Sequence, residues 1–470
     1  MTTEQSTGIK KLVVLGAGES GVGAALLGQA KGWDVFVSDF GPIAMEHKRT
    51  LEQNGIAFEE GKHTAELILA ADEIVKSPGI PDSAQLVVES RVNRISVISE
   101  IEFAARYTNA KFVAITGSNG KTTTTLLTYH LMKKAGLKVG LAGNIGESLA
   151  KQVVKDENEY YVVELSSFQL DGMYEFKADV AVLLNITPDH LDRYDYDFSK
   201  YVDSKFRIAQ NQTFDDYFIT FNDDPVVREE MTKRELGGFK LSVSLEDKCL
   251  NGGYMIGENI MININNHLTS VFSIDATTLP ITGKHNMINT MSAIMAALAA
   301  GVKEEAIKKS LGSFKNAPHR LEEAGFVKGV RYINDSKATN VDSVKYALDS
   351  FQQPIVWIAG GVDKGNDYKL IDELVYEKVR ALVCIGNDNE KLKAAFGKNL
   401  PMILEAKDMN EAVRMSNEIA EYGDVVLLSP ACASFDRFMN YEDRGLQFKS
   451  SIKSLERSQK KLNFIFNLAW

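Results

Sequence analysis

The sequence predicts an α/β protein of several domains, each built on a parallel sheet. Three observations carry this. Short apolar runs recur along the chain, end in glycine or polar residues, and alternate with helix-like stretches, as β-α-β units do. Two strand-to-helix junctions are glycine-rich, at residues 16–21 and 117–122. The length of 470 residues allows two to four domains with full cores.

Residues 1–108 read as a small doubly wound unit. Lys11-Leu-Val-Val-Leu15 is a buried strand that runs into a literal Gly-x-Gly-x-x-Gly at 16–21, then an Ala/Leu-rich helix to about Ala30. Such a turn presents backbone N–H groups to a diphosphate at a helix N-terminus. Strand Val35-Phe-Val37 ends at Asp39, where a dinucleotide enzyme holds a ribose hydroxyl; a solvated strand-end acid is the plain alternative. Strand Glu73-Ile-Val75 ends in Ser77-Pro-Gly79, and Glu100 to Tyr107 reads as a helix. The pattern specifies a diphosphate, and UDP satisfies it as well as NAD.

In residues 109–315, the apolar run Phe112-Val-Ala-Ile115 feeds Thr116-Gly-Ser-Asn-Gly-Lys-Thr122, and a helix-like run leaves it to Lys134. Gly117 and Gly120 allow backbone N–H groups to approach an anion without a Cβ in the way. Lys121 can reach terminal phosphates and the Thr122 hydroxyl can hold Mg²⁺. The loop is short: Ile115 stands where the usual nucleotide loop has its first glycine. An ordinary glycine-rich turn is the alternative, and the Lys-Thr pair argues against it. Later strands end at Asn144, at Glu164-Leu-Ser-Ser and at Thr187-Pro-Asp-His190. Ligands of open parallel sheets sit beyond the carboxyl ends of strands, so Lys121, Thr122, Asn144, Glu164 and His190 are expected in one crevice. Glu164 beside Thr122 suits Mg²⁺, which takes one or two carboxylates plus phosphate oxygens. Lys200 to Asn211 reads as a helix on which Lys205 looks like a solvated lysine. Residues 223–279 suggest a small antiparallel insertion. A long Ala/Met-rich helix opens near Gly283, with Asn286 and Asn289 on one face to read a base edge or cap the helix.

Residues 316–470 repeat the strand–helix alternation. Val330-Arg-Tyr-Ile333 leads to Asn334-Asp-Ser-Lys-Ala-Thr-Asn340, Pro354–Ala359 to Lys364, and Val425–Leu428 to Ser429 and beyond, with Ala381–Ile385 a fourth strand. Two lysines and several hydroxyls at these tips suit a dicarboxylate or phosphate. Gly445 to Lys461 reads as a basic helical tail, closed by the apolar Asn463–Trp470, which is expected to dock on its own domain.

Composition narrows the class. A net charge of −10 argues against non-specific binding to nucleic acid or anionic membranes. Cys249, Cys384 and Cys432 are widely spaced and form no metal or disulfide pattern, which fits a reducing, cytoplasmic setting. No leading signal segment and no run of membrane-spanning length is present.

With these motifs in hand, the chain resembles the Mur ligases from about Val13 to Phe448. The short phosphate loop, Glu164-Leu-Ser-Ser, Thr187-Pro-Asp-His-Leu-Asp-Arg193 and Gly283-Lys-His-Asn286 carry the superfamily likeness. The runs 334–340 and Leu428-Ser-Pro-Ala-Cys-Ala-Ser-Phe-Asp436 resemble its D-glutamate-adding branch. The resemblance implies three domains: a Rossmann-like N-terminal domain (1–108) for a UDP substrate, a central P-loop-type ATPase domain with a parallel sheet (109–315), and a Rossmann-like C-terminal domain (316–470) for the amino acid, closing over the second. It implies ATP-dependent addition of D-glutamate to UDP-N-acetylmuramoyl-L-alanine by a cytoplasmic monomer using two Mg²⁺ ions.

It also implies roles by position. Gly117, Ser118, Asn119, Gly120, Lys121, Thr122 and Thr123 would hold the ATP phosphates, with Asn286 and Asn289 at the adenine, Asp335 at the ribose and Arg320 at a phosphate. Thr122 and Glu164 would bind one Mg²⁺. His190 and Lys205 would serve the second, Lys205 resembling the family's carbamylated lysine. Gly18, Ser20, Asp39, Ser77, Asn144 and His190 would contact the UDP substrate. Lys337, Thr339, Lys364, Ser429 and Phe435 would place D-glutamate. Asp39 is followed by Phe40-Gly41, where the family often has hydroxyl and basic residues near the uracil. A folylpolyglutamate-type ligase shares the ATP motifs but would lack the leading domain and the 334–340 run. An NAD-dependent oxidoreductase explains only residues 16–39, and a nucleotide-dependent binding protein without chemistry is the third alternative.

Overall fold

The computed structural model describes residues 9–264, 270–281 and 283–468. Its strands form three sheets. The first contains β1 (Lys11–Leu15), β2 (Asp34–Asp39), β3 (Ala57–Glu60), β4 (Glu73–Lys76) and β5 (Ser96–Ile98), all parallel in the order β3-β2-β1-β4-β5. The order reverses beside β1, so the crevice of this sheet lies past its carboxyl end, where Gly16 follows.

The second sheet has nine strands: β6 (Lys111–Thr116), β7 (Val139–Gly143), β8 (Tyr160–Glu164), β9 (Val180–Leu183), β10 (Tyr217–Phe221), β11 (Phe239–Ser244), β12 (Gly252–Ile256), β13 (Asn259–Ile264) and β14 (Ser270–Asp275). β6 lies between β8 and β9, and its strand partners are parallel. The sequence suggests a small antiparallel insertion over 223–279, and antiparallel pairing is found in its later part. Its earlier strands β11 and β12 continue the parallel sheet from β10, and only β12–β14 pair antiparallel. The reason is a one-sided apolar pattern. Ile260, Ile262 and Ile264 are buried at every second position, and a Cβ on Gly253 would sit 3.1 Å from Met291 of the helix Lys284–Ala299. Strands with one apolar face join an existing sheet more readily than they stand alone.

The third sheet has β15 (Glu322–Val327), β16 (Val330–Asn334), β17 (Ile355–Ala359), β18 (Val379–Cys384), β19 (Ile403–Glu405) and β20 (Val425–Leu428), in the order β15-β16-β20-β17-β18-β19. Only the edge strand β15 is antiparallel. The three-domain α/β architecture thus stands. Helix boundaries shifted by a few residues: Lys205 lies on Phe198–Phe206, and the last helix runs Tyr441–Leu468. The side chains of Asn463–Trp470, expected to dock as an apolar group, lie outside the described residues.

Residues to Leu279 together with Ile288–Phe314 form one compact unit; Pro280–Met287 with the chain from Lys315 form a second. In the first unit one apolar core runs from Leu12 and Val14 through Leu149 and Ala150 to Ala114 and Val163. The helix Glu19–Ala30 approaches so closely that a Cβ on Gly23 would sit 2.0 Å from Ser148 Oγ. Two buried carboxylates fasten this junction. Glu100 accepts from Ser148 Oγ at 2.6 Å and from Ala150 N at 2.7 Å. Glu102 accepts from the N–H groups of Tyr174, Glu175 and Phe176 at 3.1, 3.0 and 2.9 Å. Among the described residues no helix is long and apolar enough to cross a membrane.

Glu102 is 1% exposed, so its removal takes the acceptor from three N–H groups, of which that of Phe176 is buried. Glu102→Ala is expected to lower the stability of the first unit by about 3 kcal/mol, seen as a lower thermal midpoint. An unchanged midpoint would show that water replaces the carboxylate.

Candidate active site

β6 and β9 end side by side, Thr116 opposite Leu183, and this register builds the phosphate-type loop. Ser118 N donates to Asn185 O at 2.8 Å. Asn119 N donates to Asn185 Oδ1 at 2.8 Å, and Asn185 Nδ2 returns to Asn119 O at 3.0 Å. Ser118 Oγ donates to Thr187 O and accepts from Thr187 N, both at 2.9 Å. Gly120, at φ +86°, caps the helix Lys121–Lys134; a Cβ there would fall 2.3 Å from Asn289 Oδ1. Asn289 Oδ1 also accepts from Thr124 Oγ1 at 3.2 Å, so it sits directly behind the loop. Thr122 and Thr123 are buried in the first helical turn. Lys121 folds over its own loop, Nζ donating to Gly117 O and Ser118 O at 2.8 Å each.

Lys205 is not solvated, contrary to its appearance in sequence. It is 2% exposed, and its Nζ donates to Gly117 O at 2.9 Å and Thr116 Oγ1 at 3.2 Å. Burial pushes its pKa well below the ordinary lysine value, and the Lys121 charge pushes the same way. Glu164, 1% exposed at the end of β8, accepts from Asn144 Nδ2 at 2.8 Å through Oε1. Its Oε2 is buried without a hydrogen-bond partner. His190 is exposed, at φ +53°. Its ring meets Phe168 edge-on at 5.2 Å, and its Nε2 lies 3.6 Å from Asp189. Lys121, Lys205, Ser118, Asn119 and Asn289 are therefore joined by contact around one loop, and Asn144 and Glu164 form a second pair.

In the leading domain, Gly18 precedes the helix Glu19–Ala30, which carries Ser20. Asp39 Oδ2 accepts from Ala17 N at 2.7 Å, and Ser77 Oγ reaches Gly16 O at 3.4 Å. Asp39 and Ser77 thus flank the glycine loop. Arg193 links this domain to the His190 loop. Its guanidinium covers Phe168 at 4.3 Å and contacts the carbonyls of Pro78, Gly79 and Ile80.

In the second unit, Asp335 follows β16. Its Oδ2 accepts from Ser429 Oγ at 2.9 Å and its Oδ1 from Leu321 N at 3.2 Å, so two residues expected on different ligands touch each other. Ser429 O accepts from the buried Trp357 Nε1 at 2.7 Å. Lys337 Nζ lies 3.6 Å over the Tyr441 ring. Thr339 and Arg320 are half-buried, Lys364 is exposed, Phe435 is 74% exposed and Asn286 is buried.

Sequence reasoning missed two organising residues. Tyr201 holds Ser118 Oγ at 3.0 Å and backs Lys205 Nζ, 5.2 Å from its ring. The signal available was its spacing of four residues before Lys205 on a helix. Arg444 is fully buried, donating to Ser336 Oγ and O at 3.0 and 2.8 Å and to Cys432 O at 3.0 Å. It clamps the 334–340 loop to the 429–436 loop. In sequence it is one arginine in a charged helix, with nothing to mark it.

Three family models match in chain order: the MurD N-terminal domain over residues 11–86, the Mur ligase middle domain over 115–297, and the Mur ligase glutamate ligase domain over 319–432. The chain is 53% identical over 448 residues to a UDP-N-acetylmuramoylalanine–D-glutamate ligase of Cytophaga hutchinsonii, covering 95% of this chain and 99% of that one. This chain belongs to the Mur ligase family. A second relative bearing the same name, from Porphyromonas gingivalis, is 53% identical over 444 residues, covering 94% of this chain and 98% of that one. Among solved structures, a pseudomurein peptide ligase type C from Methanothermus fervidus shares the fold, with a TM-score of 0.61 at 20% identity, covering 95% of this chain and all of that one.

Burial pushes Asp335 up to about 7, against the Ser429 hydroxyl, the Leu321 N–H and Arg320, which pull it down. A folded pKa raised above the unfolded value means that the folded state holds the extra proton between about pH 4 and 7, so this residue's contribution falls as pH rises through that window. Asp335→Asn in this Mur ligase should raise the thermal midpoint of the second unit at pH 8 more than at pH 5. Equal shifts at both pH values would contradict the buried, protonated carboxyl.

Proposed function

We propose that this Mur ligase joins D-glutamate to UDP-N-acetylmuramoyl-L-alanine at the expense of ATP, in the cytoplasm and as a monomer, with the UDP substrate, ATP and the amino acid taken by residues 1–108, 109–315 and 316–470. The observation that carries the chemistry is the buried Lys205 amine against the loop that also carries Lys121. The two relatives named for this reaction support the choice of substrates.

Lys121 and the loop N–H groups hold the β- and γ-phosphates, with Gly120 leaving room for Asn289 behind the loop. Asn286 and Asn289 take the adenine, and Asp335 and Arg320 the ribose and a phosphate. The alanyl carboxylate attacks the γ-phosphorus in line and ADP leaves, giving an acyl phosphate. The amine of D-glutamate, placed by Lys337, Thr339, Lys364, Ser429 and Phe435, attacks the acyl carbon. The amine loses a proton and inorganic phosphate departs.

The donor set fits magnesium. Glu164 Oε2 is a buried carboxylate oxygen without a hydrogen-bond partner, and a hydroxyl at Thr122 complements it. Bound there, Mg²⁺ supplies charge neutralisation to the phosphate oxygens. His190 and Lys205 would serve a second ion. An ammonium cannot ligate a cation, but burial favours the free amine, which would add CO₂ and release one proton to become a carbamate with oxygen donors. Asn144 holds Glu164 and, with Gly18, Ser20, Asp39, Ser77 and His190, forms the path for the UDP substrate.

Phosphate release with UDP-N-acetylmuramoyl-L-alanine across a panel of amino acids should occur with D-glutamate alone. Release with another amino acid, or without any, would overturn the substrate assignment. Lys121→Ala should reduce ADP formation by at least about a hundredfold; normal turnover would remove the loop from the mechanism. Lys205→Ala should be inactive and regain partial activity in added short-chain carboxylates. Activity without such rescue would exclude the carbamate.

A further inference from the structure

His190 is exposed and stands in the left-handed region at φ +53°, a conformation that a residue with a side chain holds where its surroundings fix it. One ring does much of that fixing. The imidazole meets Phe168 edge-on, centroids 5.2 Å apart at 64°. His190 opens the short turn Leu191–Tyr194, and Arg193 N donates back to His190 O at 3.0 Å. Two more side chains of this turn pack on the same ring. The Arg193 guanidinium covers it at 4.3 Å, within cation–π range, and the Tyr194 ring stacks on it at 6.2 Å. Phe168 is itself pinned. It lies on the helical turn Ser167–Leu170, closed by a capping box between Ser166 and Gln169, and Ser204 Oγ donates to Ser167 O at 3.0 Å.

Arg193 reaches beyond the ring to the leading domain. Its Nη1 lies 3.4 Å from Gly79 O, and its Nη2 lies 3.4 Å from Pro78 O and 3.2 Å from Ile80 O. The buried Lys76 Nζ donates to the same Ile80 oxygen at 2.7 Å. Ser77 N donates to Leu15 O at 2.9 Å and Ile80 N to Ser77 O at 3.1 Å. The turn that Arg193 touches is therefore fixed to the strand that feeds the first glycine loop.

We propose that Phe168 is the positioning residue of His190, and that Arg193 locks the shared ring from the leading-domain side. An imidazole on an exposed turn samples several orientations unless something aims it. A group that must meet a substrate or an ion within a fraction of an ångström needs such support from its neighbours. A pinned aromatic face, shared by both ends of the turn, supplies it. The proposal rests on the reading above that gives His190 a role in the reaction, and adds the residues that aim it.

The test uses the full chain and steady-state phosphate release. Phe168→Leu keeps apolar bulk and loses the flat face. It should lower kcat/KM for UDP-N-acetylmuramoyl-L-alanine about tenfold, less than the roughly hundredfold cost of an ångström's misplacement. Phe168→Tyr keeps the ring and should recover most of that loss. Arg193→Lys keeps the charge, loses the planar fork, and should behave as Phe168→Leu does. The deciding measurement repeats Phe168→Leu and Arg193→Lys in the His190→Ala chain. If both act by aiming the imidazole, neither lowers kcat/KM further once it is gone. A loss from either that multiplies with the loss from His190→Ala would overturn the positioning role. So would full activity in Phe168→Leu, or a Phe168→Tyr chain no better than Phe168→Leu. Full activity in His190→Ala would overturn the reading that gives His190 a role, and the proposal with it.

Discussion

The constraint on which the site depends is the common end point of β6 and β9. Because Thr116 stands opposite Leu183, the segments after both strands run side by side, and the Asn185–Thr187 backbone can hold the loop that follows β6. Five hydrogen bonds, through Asn185 and Thr187, fix Ser118 and Asn119 before any ligand arrives. A loop of N–H groups is useful to an anion only if its shape is already paid for, since ordering it at the moment of binding would cost about 1–2 kcal/mol per residue. A one-residue slip of β9 against β6 would misplace the whole set at once.

The same economy explains the join between the leading and central domains. Both carboxylates near the start of the helix Glu100–Ala105 leave their own helix and bind across the junction, Glu100 to the start of the helix Leu149–Val153 and Glu102 to the Tyr174–Phe176 segment. Buried carboxylates without such donors would be expensive. With them, they fix geometry more than they add stability. Arg193 adds a third tie, from the His190 loop to the turn after Ser77. In the proposed reaction a carboxylate carried by the leading domain has to meet a phosphate held by the central one, and near-attack geometry tolerates little slack.

What the sequence revealed and hid follows from the physics of each signal. Parallel strands buried on both faces are continuous apolar runs, so β1, β6, β8, β9, β17 and β20 were legible. The short edge strands β3, β5, β15 and β19 have no such run and were not. The glycines and the Lys-Thr pair announced the loop because their chemistry is local. Lys205 shows the opposite case. A lysine in a charged helix looks solvated in any window, and only the resemblance singled it out; its environment is made by Thr116 and Gly117, almost ninety positions away. Arg444 was invisible for the same reason, since its partners Ser336 and Cys432 are neutral oxygens brought to it by the third sheet.

Lys121 and Lys205 both donate to the Gly117 carbonyl, at 2.8 and 2.9 Å. Two ammonium groups sharing one oxygen repel each other, and burial makes that repulsion strong, because little water screens it. The arrangement persists at low cost only if one of them gives up its proton. Lys205, more deeply buried than Lys121, is the one whose pKa falls. The pair is thereby divided into a partly exposed amine folded over the loop and a buried one behind it that holds its proton less tightly. No property of either lysine taken singly produces that division. It comes from placing two like groups on one carbonyl at unequal depth, with the Tyr201 ring 5.2 Å from the deeper amine.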